Sequence, residues 1–181
     1  MRVIALLVLL GPLLDGRGSV ERYRTRTVRE GVILQARAAT QAFQGRVVAI
    51  IDGDTVEVMH EGRAERIRLN GIDAPEKKQA YGRRAQDFLG EMIFKQNVRV
   101  MIRSKDRYGR TVADLYLGAK NVNQEMVRAG LAWWFRRYAP RDMVLRELEE
   151  KAREASLGLW ADPDATAPWN FRKPAQSSGQ R

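Results

Sequence analysis

The 181 residues contain no cysteine and a single histidine, His60. The first absence excludes a disulfide framework, a thiolate nucleophile and a cysteine zinc site; the second excludes a multi-histidine metal centre. Chemistry must then run on carboxylates, Arg, Lys, Tyr, hydroxyls or hard metal ions. Long apolar runs are also lacking. The stretch VIALLVLLGPLL after Met1-Arg2 is broken by Pro12 and falls short of the roughly 20 apolar residues of a membrane span. Acidic charge is the minority, with 22 Asp and Glu against 32 Lys and Arg and a net charge of +10. That surplus is uneven. Residues 1–42 hold seven basic and three acidic residues, residues 43–170 hold 22 and 19, and the last eleven hold three and none. Bulk charge is therefore weak support for a polyanion partner, and particular residues must carry the case.

What is present divides the chain into four parts. Residues 1–19 resemble the weakly charged start and short apolar region of a signal peptide, or an N-terminal apolar anchor, which implies a secreted or periplasmic protein. Residues 20–42, with Arg22, Arg24, Arg26 and Arg29, read as a linker. Residues 43–161 form the expected domain, and the polar, Pro-interrupted residues 162–181 read as a disordered tail. A single domain with no obvious unpartnered apolar helix face predicts a monomer, and no protein partner is evident.

Within the domain, GRVVAII, DTVEVM and ERIRLNGI are short β-like runs separated by Asp52-Gly53 and His60-Glu61-Gly62, a three-stranded meander. Ala85, Phe88, Leu89, Met92 and Ile93 recur at helical spacing, predicting a helix over 80–95. Alternation returns at Val98, Val100 and Ile102, and a further strand follows through Val112–Tyr116. Asn121 and Asp142 read as helix N-caps, with stops at Gly130 and Gly158. This order suits an α+β, mainly β protein: an OB-type five-stranded Greek-key barrel with about three packed helices.

Four carboxylates lie in two turns that follow strands, Asp52 and Asp54 in IDGDT and Asp73 and Glu76 in NGIDAPE. Acidic residues in such turns are usually solvated, but carboxylates at strand ends can also converge as oxygen ligands of a hard divalent cation. Arg68, five residues before Asp73, and Arg110 in DRYGR add planar guanidinium forks matched to phosphate oxygens. Together they suggest phosphate chemistry.

The run IDGDTVEV, IRLNGIDAPE, YG, DRYGRTVADLY and VNQEMVRAGLAW, over roughly 43–160, resembles the staphylococcal nuclease (thermonuclease) family. The resemblance implies a calcium-dependent, sugar-nonspecific endonuclease that cleaves DNA and RNA, single strands favoured, to leave 3′-phosphate ends. It further implies Asp54, Asp73 and the backbone carbonyl of Ala74 as Ca²⁺ ligands, Glu76 as general base, and Arg68 and Arg110 as phosphate ligands. Tyr108 and Tyr138 would contact the substrate, Tyr81 more weakly; Asp52 reads as a turn former or as a residue behind the ligands rather than as a direct ligand. Ala74 stands where the family often has Thr, which a backbone ligand tolerates. The segment from Glu76 to Tyr81 is shorter than in the family's type member. The alternative is a noncatalytic nucleic-acid-binding OB module, which would have no need of all five of Asp54, Asp73, Glu76, Arg68 and Arg110.

Overall fold

The computed structural model describes residues 41–172. The proposed leader, almost all of the 20–42 linker and the end of the tail lie outside these residues. Five strands close a small barrel. β1 (Ala42–Ile50), β2 (Thr55–His60) and β3 (Arg63–Leu69) form the antiparallel meander that the alternating runs predict. After β4 (Ile72–Asp73) and helix α1 (Gly82–Ile93), β5 (Asn97–Lys105) pairs antiparallel with β1. β6 (Thr111–Leu117) pairs antiparallel with β5 and parallel with β3, and so closes the ring. The register shifts between Val47 and Ala49 in β1 and between Ile102 and Ser104 in β5. Such bulges bend and twist a strand, as so small a closed sheet requires.

Val47, Val56, Val58, Ile67, Leu69, Val98, Val100 and Leu115 fill the interior. α1 lays Ala85, Leu89 and Ile93 on that core because their spacing puts them on one face. A two-residue strand, β7 (Lys120–Asn121), leads into α2 (Val122–Arg128), where the Asn121 side chain accepts from the Gln124 N–H as its capping pattern predicts. After β8 (Trp133–Trp134), Asp142 caps α3 (Met143–Glu154) by accepting from the Leu145 N–H. α3 ends at Glu154, short of the predicted stop at Gly158, because Ser156 and Gly158 both take left-handed conformations at φ 51° and 54°. Gly158 instead opens a 3₁₀ turn, Gly158–Ala161.

The tail departs from expectation. Residues 162–172, read as the start of a disordered segment, fold back on the domain and end in a one-turn helix, α4 (Pro168–Phe171). Trp169 stacks on Phe135 at 5.2 Å between centroids and meets Trp133 edge-on at 5.6 Å. Burial of an aromatic ring of that size outweighs the polar, Pro-interrupted character of the segment.

Candidate functional site

The site lies where β3, β4 and the β1–β2 turn meet. Asp52 sits in that turn, and its Oδ1 accepts from the Asp54 N–H at 3.0 Å, the turn-forming contact expected of it. Asp54 is thereby aimed inward at 6% exposure. Its Oδ1 accepts from the Thr55 hydroxyl at 3.1 Å and its Oδ2 from the Ala74 N–H at 2.7 Å. Ala74 thus touches Asp54 through its amide.

Asp73 is placed by two sets of contacts. β4 pairs with β8, setting Asp73 opposite Trp133, and the Trp134 N–H donates to the buried carboxylate of Glu149 on α3 at 3.1 Å. The preceding loop is fixed by a polar network the sequence reading did not find. Asn123 donates to the Asn70 and Ala113 carbonyls at 2.9 and 3.2 Å and accepts from the Leu115 N–H at 3.0 Å. Asn70 donates to Asp114 at 3.0 Å, and Arg103 pairs with the other oxygen of Asp114. Gly71 turns the chain at φ +74°, with Leu145 and Ala139 already against the place a Cβ would take. Asp73 ends fully buried, at 0% exposure.

Arg68 joins the two aspartates. Its Nη1 lies 2.9 Å from Asp54 Oδ2 and its Nη2 2.8 Å from Asp73 Oδ1, with a further 3.3 Å contact to the Leu69 carbonyl. Burial pushes the Asp54 carboxyl up, Arg68 pulls it back, and Asp52 and Asp73 add to the rise, leaving it at about 7.

Glu76 is set by the tight segment that precedes α1. Its N–H donates to Gln79 Oε1 at 3.1 Å, and its carbonyl accepts from the Gln79 N–H at 2.8 Å. Gly82 packs so closely under that carbonyl that a Cβ there would lie 1.9 Å from the oxygen. The Glu76 side chain, partly exposed, is linked to Asp73 by a residue that the sequence reading missed. Arg172, immediately after α4, sends Nη1 to Glu76 Oε1 at 2.6 Å and Nη2 to Asp73 Oδ2 at 2.6 Å. Partial burial opposes the Arg172 charge, but hydrogen bonds to Asp73 and Glu76 outweigh it and push its pKa up. The only signal in the sequence was the basic excess of the last eleven residues.

Arg110 is not drawn into this cluster. Its Nε donates to Asp106 Oδ2 at 2.7 Å, and its guanidinium lies 5.7 Å from the Tyr108 ring centroid. Burial opposes ionisation of Asp106, but hydrogen bonds from Arg110 and from the Tyr108 N–H hold its carboxyl below the usual range. Arg110 does stand at the adjoining strand end, since the parallel β3–β6 register sets Arg68 beside Val112. Tyr108 and Tyr138 present their rings to solvent at 69% and 70% exposure. Tyr138 meets Phe135 edge-on at 4.9 Å, whereas Tyr81 packs against the core from a left-handed position. Trp133 and Trp134 are both buried. His60 stacks on Phe43 at 3.8 Å and faces Glu65 at 3.2 Å. Among the described residues no group of three or more acidic or histidine side chains gathers about a single point; two guanidinium groups stand between the carboxylates instead.

Buried carboxylates and guanidinium forks at one end of a closed five-stranded barrel define an OB-type protein with a charged site. Comparison with known proteins narrows the class. The family profile described as Staphylococcal nuclease homologue matches residues 66–162. A micrococcal nuclease of Shigella flexneri is 40% identical over 164 residues, 84% of this chain and 94% of that protein. An uncharacterized endonuclease of Escherichia coli O157:H7 is 48% identical over 131 residues, 72% of this chain and 85% of its own. Staphylococcal-like nuclease CAN1 of Arabidopsis thaliana is 43% identical over 108 residues, 60% of this chain and 33% of that protein. The chain belongs to the staphylococcal nuclease family.

Proposed function

We propose that this nuclease is a Ca²⁺-dependent endonuclease that hydrolyses DNA and RNA with little base selectivity and leaves 3′-phosphate ends. The observation that carries the reading is the Arg68 guanidinium bridging two buried aspartates, with Glu76 tied to the same cluster. The donor set fits a hard cation. Asp54 and Asp73 offer buried carboxylate oxygens, and the pressure of burial on the Asp54 charge is what a nearby dication would relieve. Asp54, Asp73 and the Ala74 carbonyl would hold Ca²⁺, with water completing the oxygen shell. When bound, the ion supplies Lewis-acid stabilisation of charge on a phosphate oxygen.

The remaining work falls to side chains. Glu76 accepts a proton from the attacking water as the water oxygen bonds to phosphorus; the bond from phosphorus to the 5′-oxygen breaks, that oxygen takes a proton from solvent water and leaves as a hydroxyl, and Glu76 returns its proton to solvent. Arg68 and Arg110 bind the nonbridging oxygens, Arg110 by exchanging Asp106 for the phosphate. The exposed rings of Tyr108 and Tyr138 stack on bases, an interaction that tolerates any sequence.

The test incubates the full chain and Glu76→Gln with labelled single-stranded and duplex DNA and with RNA, in Ca²⁺, Mg²⁺ or chelator, and identifies the product ends. Calcium-dependent cutting to 3′-phosphates, lost in the variant, is the expected result. Binding without cutting in any metal overturns it in favour of a noncatalytic nucleic-acid-binding OB module.

A further inference from the structure

Arg172 lies ten residues beyond the segment that the family profile matches, yet it pairs with two carboxylates of the site. Packing brings it there. Pro168 opens α4, Trp169 inserts against Phe135 and Trp133, and the Gln79 side-chain amide holds the Thr166 carbonyl, tying the tail to the segment that carries Glu76. The backbone of Arg172 is thereby anchored, while its side chain, 45% exposed, keeps one side open to solvent.

Arg68 and Arg172 flank Asp73, both bonding Oδ1, at 2.8 and 3.3 Å. A divalent cation on Asp73 would compete for the oxygens that Arg172 uses, because Oδ1 already accepts from both guanidinium groups and Oδ2 accepts from Arg172, so an ion ligated there must displace one of these donors. The ion pairs of Arg172 among the described residues are those with Asp73 and Glu76. Displaced from Asp73, the Nη2 arm can bond an oxygen of the incoming phosphate while Nη1 stands beside Glu76.

We infer that Arg172 is a third phosphate-binding guanidinium of the site, supplied by the C-terminal segment and held on Asp73 and Glu76 until cation and substrate arrive. The inference rests on the proposed function and names one more substrate-binding residue for it. The ligand is a phosphodiester strand, bound through nonbridging oxygens by the planar fork.

The test measures equilibrium binding, in Ca²⁺ and across a range of salt, of a fluorescent single-stranded oligonucleotide with methylenephosphonate linkages, which keep the charge and resist hydrolysis. Full-length wild type, Arg172→Gln and Arg172→Lys are compared, with circular dichroism as the control for folding. Loss of one phosphate contact predicts that Arg172→Gln binds about 5–10-fold more weakly and that the slope of log affinity against log salt falls by about 0.7. Arg172→Lys restores the slope. A wild-type slope in Arg172→Gln, or no recovery in Arg172→Lys, overturns the inference. Cleavage of an unmodified strand is measured alongside: a wild type that cuts nothing defeats the hydrolytic reading alone, while the slope still decides Arg172.

Discussion

The guanidinium of Arg68 spans Asp54 and Asp73, one arm 2.9 Å from the first and the other 2.8 Å from the second. Arg110, by contrast, pairs with Asp106 within its own turn. The two arginines should therefore differ when removed. Arg68→Ala leaves two buried carboxylates without their shared partner and is expected to cost about 3 kcal/mol, whereas Arg110→Ala should stay within about 1 kcal/mol of wild type. Both should lose about 10²–10³-fold in turnover and keep native circular dichroism at 25 °C. Urea melts and single-turnover cleavage check the pair; equal stability losses would contradict the difference in burial.

Asp54 sets a pH dependence. Its folded pKa, about 7, lies above the ordinary aspartate value near 3.9 that holds in the unfolded chain. Between those values the folded state binds more protons than the unfolded state, so this group's contribution to stability is full below about pH 4 and is lost as pH rises through about 7. Asp54→Asn should stabilise the metal-free protein at pH 7.5, with a gain that shrinks toward pH 4. Thermal melts in chelator at both pH values test the sign. The same substitution should weaken Ca²⁺ binding, read by calorimetry.

Asn123 supports Asp73 without touching it. Asn123→Ala strands the Leu115 N–H and removes a donor from the Asn70 and Ala113 carbonyls, a loss of about 1–3 kcal/mol. The loop that delivers Asp73 should loosen with it. The expected signature is weaker Ca²⁺ binding and a lower kcat in a protein that still melts cooperatively, compared with an exposed control such as Lys120→Ala.

Trp169→Ala removes the ring that seats the tail on Phe135 and Trp133. Limited proteolysis should then cut within residues 162–172 at least tenfold faster, on the order expected for loss of about 1.4 kcal/mol or more of local packing, while the barrel resists. Unchanged protection would mean that the Gln79–Thr166 contact and α4 suffice by themselves.

The barrel was legible because its signals are local. Val98, Val100 and Ile102 alternate, Asn121 and Asp142 stand at helix starts, and the carboxylates follow strands at Gly-containing turns. The seating of the tail was not, since Trp169 finds Trp133 and Phe135 through a contact between distant segments that leaves no periodicity in the sequence. Arg172 was hidden for the same reason. Asn123 was masked by its neighbour: Asn121 accounted for a polar residue at that helix start, and nothing local distinguished the buried amide from the capping one. The pairing of Arg110 with Asp106 is local to its turn, whereas the phosphate role of Arg110 comes from the resemblance alone.

All four tryptophans of the chain, Trp133, Trp134, Trp160 and Trp169, lie in or against the layer formed by β8, the 3₁₀ turn and α4. The closed sheet itself carries none. Indole emission therefore views mainly one side of the molecule, the side whose backbone pairs with Asp73, and reaches the barrel through Trp134, which packs in the main core. Far-ultraviolet dichroism follows the helices and strands of the whole fold, so emission that changes before it marks release of the layer holding Trp133, Trp160 and Trp169, and the size of that gap measures how independently the layer moves.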